Sequence, residues 1–290
     1  MPYEIISSGT VTPFRLHALV RLVHRFQKIS RKELIDLVQP LELGLENQET
    51  AKEVIKAAIN CKLVIEIPSE NVIQAGDNLS SLLDPKDFKA RMQSSLLGQA
   101  DENGPNFLLN IFTAWYFVQN ENVFQFSKDF DKQFNEEVFR DDTERHFNST
   151  KLNGWKMWAS FLGLGWLNKE NGIVIPDVHD RIDSLLSNIL PITRKQAVTF
   201  GEFITKLTEY CPELDGGVLF KKCWQYSRQA AADRNRLSLA LSTALRVLHD
   251  EEKIELIRRA DAAENWQLFP ASGHDISQVT HIRLGKNQHE

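Results

Sequence analysis

The sequence predicts a mainly α-helical protein with small β-hairpin wings, arranged as three tandem winged helix-turn-helix modules. Three observations predict it. First, a helix-length apolar stretch runs three times into two short β-prone segments joined by a polar turn: 50–59 into 63–67 and 72–74, 155–162 into 166–167 and 173–175, and 239–248 into 254–257 and 266–269. Second, further helical sequence precedes each copy, which gives the helix–helix–helix–hairpin order of a winged helix. A supersecondary repeat constrains architecture more than any single residue does. Third, apolar residues make up 42% and charged residues 25% of the 290, a composition that supports packed cores and argues against a disordered chain.

In chain order, Thr12 before Pro13 reads as an N-cap with proline at the first helical position, where its missing N–H costs nothing. Leu16, Leu19, Val20, Val23 and Phe26 then form one helical stripe. Ser30 with Glu33 is a capping-box pattern opening a helix over 31–38, which Pro40 ends. Asn47 is positioned to cap the third helix, whose Val54, Ile55, Ala58 and Ile59 face inward. Asp84-Pro85 opens a helix over 86–97, and Glu102-Asn103-Gly104-Pro105 breaks the chain. Residues 107–118 are so apolar that they must be buried. Helices are expected over 127–139 and 177–190, and Gly163-Leu164-Gly165 reads as a helix-to-wing turn in which glycine supplies a positive φ. Helices over 200–210, 218–231 and 235–248 come next. The expected organisation is module 1 over 1–83, a linker helix and loop over 84–105, module 2 over 106–190, module 3 over 191–275, and a polar tail over 276–290 in which Val279 and Ile282 have the pattern of a short strand.

No stretch approaches 18 uninterrupted apolar residues, so no membrane span is expected. The start of the sequence, Met1-Pro2-Tyr3-Glu4, lacks the features of a signal peptide. Cys61, Cys211 and Cys223 show no CxxC spacing, which argues against a disulfide framework or a cysteine zinc site, and a reducing cytoplasm is the expected location. The eight histidines are scattered, and no metal or other cofactor is expected. HExxH, GxSxG and Walker-type patterns do not occur. The acidic run Glu136-Glu137 with Asp141, Asp142 and Glu144 reads as a solvated face rather than a nuclease centre, and the chain is expected not to be an enzyme.

The net charge of −5 is unevenly divided: Lys+Arg against Asp+Glu is 12 to 12 over 1–98, 8 to 14 over 99–190 and 14 to 13 over 191–290. Binding to the phosphate backbone rests on Lys and Arg displacing condensed counterions, so the acidic middle is the poorest candidate for it. In module 1, Arg21, Arg25 and Lys28 recur at i, i+4 and i+7 and are expected to form a cationic face on the first helix, with Lys52 and Lys56 on the third. Glu49 and Glu53 beside them oppose phosphate. In module 3, Lys221, Lys222, Arg228, Arg234 and Arg236 meet only Asp233 over 219–236. Arg234, Asn235, Arg236 and Ser238 are expected at the start of the third helix, where a recognition helix reaches base edges, and Arg258-Arg259 at the wing tip.

The threefold layout, with its hairpins ending Val72-Ile73, Ile173-Val174-Ile175 and Trp266-Gln267-Leu268-Phe269, resembles multi-winged-helix proteins of bacterial DNA-modification and phage-defence clusters. Over the whole chain, opening Met1-Pro2-Tyr3-Glu4-Ile5-Ile6, it resembles the DpdG-like proteins of deazapurine-in-DNA clusters. That resemblance implies a non-enzymatic component working beside helicases or ATPases on foreign or modified DNA. Winged-helix subunits of condensin-like complexes are similar in layout and bind chiefly protein. The sequence therefore leaves two functions: a DNA-binding component contacting duplex DNA through modules 3 and 1, or an adaptor docking partner subunits of an ATPase or helicase complex.

Overall fold

A computed structural model of the chain describes residues 2–43, 47–125, 129–140, 145–191, 196–227, 235–273 and 275–286. It is 51% helical and 13% strand. Among the described residues the strands form small antiparallel sheets. The chain packs as two compact units: Met1–Leu97 with Asn103–Leu109 and Asn148–Leu162, and Gly98–Glu102 with Asn110–Phe147 and Gly163–Glu290. The expected middle span 106–190 contributes to both.

In the first unit, α1 (Pro13–Phe26) starts at the Thr12 cap, whose side chain accepts the Arg15 amide at 3.1 Å. It buries Leu16, Leu19, Val20 and Val23; Phe26 departs from the expected stripe and is 41% exposed. Gln27, at φ 60°, ends the helix. The next three residues form β1 (Lys28–Ser30), which the sequence does not announce because so short a strand exists only through its partner. Ser30 then caps α2 (Arg31–Val38) by accepting the Glu33 amide at 3.1 Å. In α3 (Glu49–Asn60) the cap position is Gln48, and Asn47 accepts the Glu49 amide at 3.3 Å. β2 (Val64–Ile67) and β3 (Val72–Ala75) form the expected hairpin, and β1 closes the sheet in the order β1-β3-β2. α1 packs on α3. α4 (Pro85–Leu96) starts at its Asp84 cap. α7 (Ser149–Phe161), capped by Asn148, packs on the 3-10 turn Ile5–Ser7. A Cβ at Gly154 would lie 2.5 Å from the Ile6 carbonyl oxygen, so only glycine permits this approach.

In the second unit, the residues of α5 (Phe107–Val118) that belong to it carry a ring cluster. Phe112 stacks on Phe147 at 4.2 Å between centroids and meets Phe134 of α6 (Phe130–Val138) edge-on at 5.0 Å. The Trp115 indole donates to Glu137 at 2.7 Å, so one member of the acidic run is an internal acceptor; Asp141, Asp142 and Glu144 lie outside the described residues. β4 (Gly165–Asn168) and β5 (Ile173–Pro176) form the second expected hairpin. The single helix expected over 177–190 is two short ones, α8 (His179–Asp183) and α9 (Leu186–Ile189).

β6 (Val198–Thr199) leads into α10 (Phe200–Tyr210) through Thr199, which forms a full capping box with Glu202. α11 (Val218–Tyr226) and α12 (Leu239–Asp250) come next, with α12 packed on α8. The third hairpin expected near 254–269 does not form. β7 (Ile254–Ile257) pairs with β10 (His281–Leu284), while β8 (Trp266–Gln267) pairs with β9 (Gln278–Val279). The sheet runs β6-β10-β7, so the segment read as a polar tail supplies its central strand. Val279, Ile282 and Leu284 are buried there, which offsets the polar residues between them.

One local device recurs three times. Asn60 to Val64, Phe161 to Gly165 and Asp250 to Ile254 each span the same short turn from helix to strand. Each turn holds a left-handed residue at the same place: Lys62 (φ 54°), Gly163 (φ 70°) and Glu252 (φ 58°). At the first and third, the Leu63 amide reaches the Ala58 carbonyl and the Lys253 amide that of Leu248, each at 2.9 Å, the long bond of a Schellman cap. Only the second turn carries the glycine that announces such a cap in a sequence.

Candidate nucleic-acid interface

The cations of the first unit divide into free and paired groups. Arg21 and Arg25 are exposed on α1. Lys28 does not share their helical face: it sits on β1, beyond the end of the helix, and pairs with Glu70 of the β2–β3 turn. Arg31 pairs with Glu66 of β2 in the same way. On α3, Lys52 pairs with Glu49 at 2.7 Å, and Lys56 is exposed without an ion pair among the described residues. The outward face of α3 is therefore mixed in sign.

In the second unit, a groove of about 1710 Å³ collects residues from α10, α11, the 235–238 segment and the loop after β7. It brings together Lys221, Arg236 and Arg259 from three separate stretches and adds Lys206. Phe220, Trp224, Trp266 and His281 also line it, as do the carboxylates Glu202, Glu209, Asp215, Asp261 and Glu264. Trp224 lies nearly parallel to Phe220, with centroids 5.9 Å apart and 22° between planes, and Trp266 packs on Phe200 at 5.6 Å. The Arg236 guanidinium stands 5.2 Å from the Phe269 ring centroid. Arg258 is exposed beside Arg259, outside the groove lining.

The structure corrects several of the expected positions. Asn235, Arg236 and Ser238 precede α12 rather than forming its first turn. The first two are zipped to β8: the Gln267 amide donates to the Asn235 carbonyl at 2.8 Å, and Arg236 bridges to Gln267. Ser238 is buried, its hydroxyl donating to Asp215 at 2.6 Å and accepting the Leu241 amide at 3.2 Å, so it is a helix cap and no base reader. Burial pushes the Asp215 carboxyl up to about 6. Lys222 turns away to Glu102, which also binds Arg145 at 3.0 Å; the Lys222 bond is the main reason the Glu102 carboxyl is held below its usual range. Arg228 and Arg234 lie outside the described residues.

A family model described as DpdG-like matches residues 3–262. The chain belongs to the DpdG-like family. No curated protein and no solved structure matches it. Among the described residues no helix is long and apolar enough to cross a membrane. Membership in this family suggests involvement in a DNA-modification system.

The aromatic half of the groove is what sequence reasoning missed. Lys221 and Trp224 are three apart on α11 and so share a face, a signal present in the sequence. Trp266 and His281 join them only through the β7–β10 and β8–β9 pairings, which no local pattern reveals.

Proposed function

We propose that this chain is a non-enzymatic, DNA-binding component of a bacterial DNA-modification or phage-defence system, built on three winged-helix modules. The observation that carries the modular reading is the thrice-repeated helix, left-handed residue and strand, preceded in two copies by a short strand that closes the sheet. This reading moves the start of the third module back from the expected 191, so that α8 (His179–Asp183) is its first helix, in the role α1 has in the first module. Duplex contact falls to exposed cations without an ion pair among the described residues: Arg21, Arg25 and Lys56 in the first unit, Lys221, Arg258 and Arg259 in the second, with Arg236 beside its ring. Such contacts fix register on the backbone without reading sequence.

The test is duplex affinity across a salt series. Each phosphate contact contributes about 0.9 to the slope of log K against log salt, so Arg236→Ala with Arg259→Ala flattens the slope more than Lys151→Ala with Lys156→Ala. Affinity that ignores salt and all these substitutions sinks the reading. A second reading, an adaptor docking partner subunits, is favoured by one feature: α3 presents Glu49 and Glu53 beside its lysines. Pull-downs against neighbouring subunits that fail on charge reversal at Glu53 would support it.

A further inference from the structure

The groove of the second unit combines cations with ring faces, and a duplex has no use for the rings. In a duplex the base faces stack on one another, leaving phosphates, sugars and groove edges for a protein to contact. A single strand offers phosphates and base faces together, and its binding sites join a positive groove to aromatic platforms. We infer that this groove binds a single-stranded stretch of DNA, with Trp224 as stacking platform and Lys221, Arg236 and Arg259 meeting phosphates. The inference rests on the DNA-contact reading above and specifies the strand state taken at this site.

Three observations carry it. Trp224 is half-buried, and Phe220, only 7% exposed, backs it, so the indole is a supported platform rather than a loose ring. Lys221 stands on the same face of α11, which sets a cation beside the platform at the reach of one nucleotide. The charge balance also selects the ligand. The lining sets five carboxylates, Glu202 of the Thr199 capping box and Asp215 on Ser238 together with Glu209, Asp261 and Glu264, against the four cations Lys206, Lys221, Arg236 and Arg259. A nearly balanced groove attracts either form of DNA only weakly by charge alone. A single strand carries about half the charge of a duplex per unit length, and stacking supplies the remainder of its affinity.

The experiment is fluorescence anisotropy of the full chain with labelled oligo(dT) and, separately, with a hairpin-closed duplex lacking single-stranded ends. Oligo(dT) is expected to bind. Trp224→Ala should weaken it about tenfold, Trp224→Phe should keep most of the affinity, and neither should change closed-duplex binding. Lys221→Ala, an exposed change, should flatten the oligo(dT) salt slope by about 0.7, which keeps the test open should Trp224→Ala fail to fold. Quenching of intrinsic tryptophan fluorescence by unlabelled oligo(dT) should shrink in Trp224→Phe. If the duplex binds with salt dependence but oligo(dT) does not, or oligo(dT) affinity ignores Trp224 and Lys221, the inference is overturned and DNA contact stands. Binding of an acidic peptide in place of oligo(dT) also overturns it. If neither DNA form binds, the inference and the reading beneath it both fail.

Discussion

Two parts of the molecule solve the same packing problem with unequal means. In the first unit the sheet β1-β3-β2 closes over α1, α2 and α3; in the second, β6-β10-β7 closes over α10 and α12, and α8 packs on α12. Both use a short strand whose last residue caps the next helix, Ser30 in one and Thr199 in the other. Both hold a cross-strand or strand-edge Arg–Glu pair, Arg31–Glu66 and Arg283–Glu255. They differ in the connection that leaves the strand after the third helix. The first unit returns at once through the turn at 68–71, where Asn71 takes φ 53°. The second inserts residues 258–280, whose β8 and β9 pin the 235–237 segment and bring Arg259 and Trp266 into the groove. The first helix differs too: α1 has 14 residues and an apolar face, α8 has 5 and a buried ion pair. A shared frame thus leaves freedom in its return connection, and in this chain the groove is built there.

The largest expected effect tests that short α8. Arg181 donates to Glu213 at 2.8 Å and to the Tyr210 carbonyl at 2.9 Å, and Glu213 is fully buried. Arg181→Ala strands a buried carboxylate and should cost about 3–5 kcal/mol. Hydrogen exchange should show lost protection around 179–183 and 207–220, with the α1 and α3 amides unchanged. Equal loss in both units would break the comparison.

Each unit also buries a carboxyl, and the two differ in pH window. Burial pushes Glu4 up from 4.5 to about 7 and Asp215 up from 3.8 to about 6. A raised carboxyl contributes stability that is full below the unfolded value and is lost as pH rises through the folded one. The first unit should therefore weaken between about pH 4.5 and 7, the second between about pH 3.8 and 6, by about 3 kcal/mol at most in each case. Glu4→Gln, which keeps an acceptor for the Leu108 amide, should remove the first window alone, and Asp215→Asn the second, as read by segment-resolved exchange against pH. A flat profile in the parent chain would refute the burial argument.

The fold was legible in the sequence only as far as its interactions are local. The hairpins at 64–75 and 165–176 were readable because turn residues sit between alternating segments, and the caps at Thr12 and Ser30 because capping is local. β1 and β6 were not: two or three residues carry no period, and only pairing with β3 and β10 makes them strands. β10 looked like a tail because its partner β7 lies beyond a long insertion. In the candidate interface, the existence of exposed cations was legible, but their partners were not. Nothing local in the sequence says that Lys28 meets Glu70, or that Ser238 is buried on Asp215.

The caps allow a smaller, sharper comparison. Ser30→Ala and Thr199→Ala each remove a helix N-cap acceptor and should cost about 1 kcal/mol. The two losses should match, because Ala at 199 keeps the reciprocal half of the box, the backbone N–H held by Glu202 at 2.9 Å. Denaturant titration with local exchange measures both. A larger loss at Ser30 would mean that the β1 edge depends on its cap more than β6 does.

The smallest effect on stability has the most to say about function. In the first unit, hairpin acids hold Lys28 and Arg31; in the second, the groove cations Lys221, Arg236 and Arg259 make no ion pair among the described residues. Glu66→Gln with Glu70→Gln frees both first-unit cations while leaving isosteric amides in their place. The Lys28–Glu70 pair is half exposed and the Arg31–Glu66 pair about a third exposed, so the loss should stay within about 1 kcal/mol for each. If the first module lies along duplex DNA, the freed cations should steepen the salt slope by up to about two and raise affinity at low salt. An unchanged slope, with the fold intact, would mean that this edge does not meet phosphate. Duplex contact would then rest on Arg21, Arg25, Lys56 and the second unit, and the acids of the first hairpin would be ordinary strand partners.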